Sequence, residues 1–165
     1  MMIEKLVTDV DGVLTDGKFT YSVDGKIYKQ FGPHDSDGIK IIQDEGINII
    51  AITADKRGFG ISEKRLKDLG IELHLVREKE RLKWFKENTN PKKTVFVGDG
   101  LFDIPLMKIC LVSFAPINAI DLVKKFATHV INSKGGEGVL LEIAFKLLED
   151  VNPLKLEKIN NGDLE

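Results

Sequence analysis

Lys5-Leu6-Val7-Thr8-Asp9-Val10-Asp11-Gly12-Val13-Leu14-Thr15-Asp16-Gly17 decides how this chain is read. Residues 5–10 are a short, mainly apolar run, the pattern of a strand buried on both faces. The run stops at two carboxylates, Asp9 and Asp11, and a loop with two glycines follows. Residues two apart on an extended chain point to the same side. Two acids so placed repel, and one keeps its proton unless a cation intervenes. Magnesium suits such a place, because it is hard and takes oxygen ligands beside one or two carboxylates.

Working outward, the same pattern recurs. Residues 48–53 form an apolar run that ends in the hydroxyl of Thr53, and residues 94–97 another that runs into Gly98-Asp99-Gly100-Leu101-Phe102-Asp103. Further strands are expected at 72–76, 111–114 and 128–131. Helices are expected at 35–45 (capped by Asp35 or Ser36 and stopped at Gly46), 61–69, 80–88, 103–109, 119–126 (capped by Asn118) and 139–148. Alternating runs on either side of Asp24-Gly25 signal a hairpin. Strands alternating with helices imply an α/β fold: a Rossmann-like three-layer sandwich with a mostly parallel central sheet, here with a β-hairpin flap after the first strand. Residues 1–150 read as one domain and 151–165 as a polar tail. Ligands of such sheets bind at the carboxyl ends of the strands. Asp9, Thr53 and Asp99 all fall there, and Asp99 can complete a cation site begun by Asp9 and Asp11. Lys79 or Arg81, at the start of a helix, can reach an anion. Asp103 opens a helix, where it can cap and also orient the cation's waters.

Composition narrows the function. The chain has 165 residues, 30% of them charged, and a net charge of −2, so nothing argues for nucleic-acid or membrane binding. No apolar stretch is long enough to span a bilayer. The sequence enters its strand pattern at once, without a signal peptide. Its one cysteine, Cys110, lies in an apolar stretch and fits a reducing cytoplasm.

The segment from Asp9 to Gly17 resembles the first motif of the haloacid dehalogenase-like phosphatases. Thr53 resembles their second motif, a cation at Lys79 or Arg81 their third, and Gly98 to Asp103 their fourth. The similarity runs from about Lys5 to Leu148, in the family's order. It implies that Asp9 is the nucleophile and forms an aspartyl phosphate, while Asp11 protonates the leaving alkoxide and later deprotonates water. It also implies that magnesium is held by Asp9, the Asp11 backbone carbonyl and Asp99. Thr53 and the third-motif cation would hold the phosphoryl oxygens.

Within the family the chain is similar to the subgroup without a cap domain, typified by 3-deoxy-D-manno-octulosonate 8-phosphate phosphatase. The Val13-to-Gly17 extension, the hairpin at the cap insertion point and Gly135-Gly136-Glu137-Gly138 carry that likeness. It implies a small sugar-phosphate substrate, a homotetramer and a role in lipopolysaccharide precursor synthesis. The departures fall where substrate is decided. The subgroup's Gly-Arg after the second-motif hydroxyl is Ala54-Asp55 here, with Lys56 or Arg57 as candidate replacements. Its Arg-Asp-Gly before the first helix is His34-Asp35-Ser36, and its basic residue in the glycine turn is Glu137. The alternative substrate is a nonulosonic acid 9-phosphate. A phospho-receiver signalling module shares some of these residues, but it normally carries its phosphorylated aspartate on a later strand.

Overall fold

The computed structural model describes residues 2–164. Six strands form one sheet in the order β5-β4-β1-β6-β7-β8. They are β1 (Lys5–Asp9), β4 (Asn48–Thr53), β5 (Glu72–Leu75), β6 (Thr94–Val97), β7 (Val112–Ala115) and β8 (His129–Val130). Every adjacent pair is parallel. A separate antiparallel hairpin, β2 (Thr15–Ser22) and β3 (Gly25–Phe31), follows the first strand.

The sheet is covered on both faces, as an all-parallel sheet must be. Helices α1 (Asp35–Asp44), α2 (Phe59–Asp68) and α6 (Val139–Val151) cover one side. Their Ile39, Ile42, Leu66, Leu140, Ile143 and Leu147 pack with Leu6, Ile49, Val95 and Val97. Helices α3 (Arg81–Asn88), α4 (Ile104–Met107) and α5 (Asp121–Lys124) cover the other. There Phe85, Leu106, Met107 and Val123 close on Val7, Ile52 and Phe96. Helix α6 shows why the sequence folds this way. Val139, Leu140, Ile143, Ala144, Leu147 and Leu148 recur at helical spacing, and all are buried.

Two caps and the tail differ from the sequence expectation. Neither Asp35 nor Ser36 caps α1. Asp35 is buried, and its Oδ1 accepts from the backbone N–H of Leu140 at 2.8 Å, capping α6 across the layer. Asn118 does not cap α5. Its amide donates to the Gly12 carbonyl at 2.9 Å, and its Oδ1 accepts from Gly135 N at 2.6 Å, tying the first loop to the glycine turn. A capping residue bonds at longer range when a loop carries unpaired backbone groups nearby. Residues 153–160, expected as polar tail, form a further helix, α7 (Pro153–Asn160). Its Lys155 bonds Glu45 at 2.9 Å, which docks it on the end of α1. Among the described residues, no helix is long and apolar enough to cross a membrane.

Candidate active site

The strand order brings β4, β1 and β6 side by side, so their carboxyl ends present Thr53, Asp9 and the Gly98-Asp99 turn together. Asp9 is buried. Its Oδ1 accepts from Val10 N at 2.9 Å and from Arg81 Nη2 at 3.0 Å. The other arm of the guanidinium, Nη1, bonds the Asp103 carboxylate. Asp103 in turn accepts, through Oδ2, the backbone N–H groups of Asp99 (3.0 Å) and Gly100 (2.9 Å). Arg81 therefore braces the first-motif acid against the fourth-motif turn. Its planar fork matches two acceptors, which a lysine ammonium cannot do in the same way.

One carboxylate oxygen each from Asp9, Asp99 and Asp103 lies within 4.8 Å of the others. Gly12 makes this approach possible. Its φ is +90°, and a Cβ there would sit 2.0 Å from Asp99 Oδ2. Burial pushes Asp9 up to about 8; Arg81 pulls it down, while Asp103 and Asp99 push it further up. Burial, with Asp103 beside it, likewise pushes Asp99 up to about 7. Burial raises Asp103 too, against the pull of Arg81. Burial opposes the charge on Arg81, yet Asp9 and Asp103 hold its pKa above the usual arginine value. Three acids that resist ionising together, offering only oxygen donors, fit a hard divalent cation such as magnesium.

The Asp11 carboxylate bonds elsewhere, to Lys29 and Thr53. It is not among the three acids drawn together. Lys29 of β3 lies 2.8 Å from Asp11 Oδ1 and 2.9 Å from Oδ2, and Thr53 Oγ1 donates to Oδ2 at 3.4 Å. Thr53 is buried, and its oxygen accepts from Asp55 N at 3.1 Å. Of the two candidate cations, only Arg81 joins the cluster. Lys79 is exposed on the 3-10 turn Glu78–Glu80 ahead of α3. Arg57 donates to the Tyr21 hydroxyl at 3.4 Å on the surface, and His34 and Glu137 are exposed.

Sequence reading missed the hairpin lysines. Lys26 bonds Asp55 and stacks 3.8 Å from the centroid of the Phe19 ring. Lys29 bonds Asp55 at 2.7 Å as well as Asp11. Burial opposes the Asp55 charge, but hydrogen bonds from Lys26, Lys29 and Gly58 N hold its carboxyl down at about 2. Residues three apart on a regular strand face opposite ways. Here Tyr21 pairs with Lys26 and Thr20 with Tyr28, so Ile27 is an extra residue in β3. That bulge turns Lys26 and Lys29 to the same side. The only sequence signal was the opposite charge of Asp55, which stands where an arginine was expected. Above the acids lies a cleft of about 340 Å³, bordered by Asp9, Asp11, Phe19, Lys26, Asp55 and Glu78.

Comparison with known proteins identifies the family. Residues 84–143 match the model of the haloacid dehalogenase-like hydrolases. The chain is 33% identical over 152 residues to 3-deoxy-D-manno-octulosonate 8-phosphate phosphatase KdsC of Haemophilus influenzae, covering 89% of this chain and 83% of that one. The solved cobalt-bound structure of the Haemophilus influenzae phosphatase matches with a TM-score of 0.77 at 32% identity, over 89% of this chain and 88% of that one. The fold is also shared with the Moraxella catarrhalis phosphatase solved with magnesium, phosphate and a KDO molecule. That match has a TM-score of 0.83 at 22% identity and covers 96% and 92% of the two chains. The chain belongs to the haloacid dehalogenase-like hydrolase family, among relatives of the 3-deoxy-D-manno-octulosonate 8-phosphate phosphatases.

Proposed function

We propose that the chain is a magnesium-dependent phosphomonoesterase acting on a small sugar-acid phosphate, with 3-deoxy-D-manno-octulosonate 8-phosphate as its first substrate. The observation that carries this reading is the buried Asp9–Arg81–Asp103 brace beside Asp99, at the carboxyl ends of adjacent strands. The curated relatives bear that activity in their names, and one fold neighbour was solved with magnesium and KDO.

In this reading Asp9 attacks phosphorus, the bond from phosphorus to the sugar oxygen breaks, and Asp11 gives that oxygen its proton. Asp11 then takes a proton from the water that hydrolyses the aspartyl phosphate, and Asp9 is regenerated. Thr53 and Arg81 steady the phosphoryl oxygens, and Asp103 keeps Arg81 in place. Asp9, Asp99 and the Asp11 backbone carbonyl would hold the magnesium, whose charge offsets that of the acids and the phosphate. Residues 1–150 act as one domain without a cap, and the hairpin partly covers the cleft. The exposed Phe19, Tyr21 and Tyr28 of that hairpin suit an oligomeric contact, a tetramer by resemblance, and the lone Cys110 suits the cytoplasm.

A nonulosonic acid 9-phosphate is the second substrate to test. It is favoured by Asp55, which occupies the subgroup's arginine position and is already paired to two lysines. The deciding experiment is a phosphatase screen over sugar phosphates with and without magnesium. Magnesium-dependent release of phosphate from the octulosonate ester, well above hexose phosphates, is expected. Hydrolysis of none of the esters would overturn the phosphatase reading, and preference for the 9-phosphate would reassign the substrate.

A further inference from the structure

Lys29 belongs to no motif, and it is the most enclosed cation near the cleft. Its side chain has no solvent exposure. Its ammonium has three protons and three sets of partners: the Asp11 carboxylate at 2.8–2.9 Å, Asp55 Oδ2 at 2.7 Å and Ser62 Oγ at 3.0 Å. None is left over for a phosphate or a substrate carboxylate. Asp55 is itself anchored, accepting from Gly58 N at 3.1 Å and donating through its own N–H to Thr53 at 3.1 Å. Gly58 packs directly against this arrangement. A Cβ on Gly58 would lie 2.3 Å from Asp55 Oδ2, 2.6 Å from Lys29 Cε and 2.8 Å from Lys26 Cδ. Apart from Lys29, the only side-chain hydrogen bond to the Asp11 carboxylate among the described residues is the long one from Thr53.

We propose that Lys29 is a positioning residue. Reaching in from the hairpin and held by Asp55 and Ser62, it aims the Asp11 carboxylate at the water that hydrolyses the aspartyl phosphate. The inference rests on the phosphatase reading and extends it to a residue outside the four motifs. It makes the hairpin part of the acid/base machinery as well as a cover.

The test uses p-nitrophenyl phosphate, whose leaving group departs without a proton. For this ester, an ill-aimed Asp11 slows only the second half of the reaction. Lys29→Met is expected to lower kcat about 10- to 100-fold, within the range of acid/base contributions. KM should fall in step, so that kcat/KM stays within about threefold of wild type. A burst of about one p-nitrophenolate per site should precede the slow steady state. In an Asp11→Asn background, Lys29→Met should cost little more, because the two act as a unit. An unchanged kcat, a loss confined to KM, or losses that multiply in the double variant would each overturn the proposal. If Lys29→Met does not fold, Lys29→Arg carries the test, since it keeps the charge but changes the donor geometry. The same burst is expected, and wild-type kcat would refute the role. If the wild type hydrolyses no phosphomonoester, the phosphatase reading falls. The positioning claim is then decided by a crystal structure of the Lys29 variant: Asp11 should leave its present rotamer, and an unmoved carboxylate would reject the claim.

Discussion

Arg81 shares its two arms between acids that are both buried, so its removal strands two carboxylates at once. Breaking a buried pair from one side costs about 3–5 kcal/mol. Arg81→Met should lower unfolding stability by about that much in urea titrations above pH 8, where Asp9 is ionised, and Arg81→Lys by less. Asp9→Asn should abolish turnover with folding intact, checked by phosphate release and circular dichroism. Asp11→Asn should slow hydrolysis of the sugar phosphate about 100- to 10,000-fold. At this scale much was legible. Asp9, Thr53 and Asp99 each end an apolar run, which the amino-acid order alone displays. The choice between Lys79 and Arg81 was not legible, because it depends on how tightly a 3-10 turn delivers the chain into α3. Nor was Asp103's partner, which lies 22 residues away in the chain.

The elements were read more reliably than their ends. Strands β1, β4, β6 and β7 follow from apolar runs, and α6 from its spacing. Asp35 shows what escapes such reading: a local sequence looks for its cap nearby, while the fold sends this carboxylate to the amino end of α6. Asp35→Ala should therefore cost about 1 kcal/mol, through α6 and not α1. In a chain of this size that lowers the melting temperature by about 2–4 °C. Hydrogen exchange should show the loosened amides at the start of α6. The bulge at Ile27 was equally hidden. Alternation in β3 predicts opposed lysines, and only the paired register reveals that one extra residue turns them together.

For the molecule as a whole, the acid cluster sets a pH dependence. Asp9 and Asp99 hold protons in the folded state up to about 8 and 7, against 3.8 when unfolded. Over that interval the folded protein binds more protons than the unfolded chain, so stability falls as pH rises. Without divalent ions, the melting temperature should therefore decline from about pH 4 to pH 8. Magnesium should flatten the slope by binding the ionised acids, and a metal-free protein equally stable across that range would contradict the burial seen here. The strand order has a last consequence, for how the protein is made. β1 lies between β4 and β6, and both of its partners come later in the chain. As the polypeptide leaves the ribosome, Leu6 and Val7 wait unsheathed until Val97 has been added. A nascent chain stalled before residue 94 should remain protease-sensitive and engage chaperones, while one extended through α6 should resist digestion.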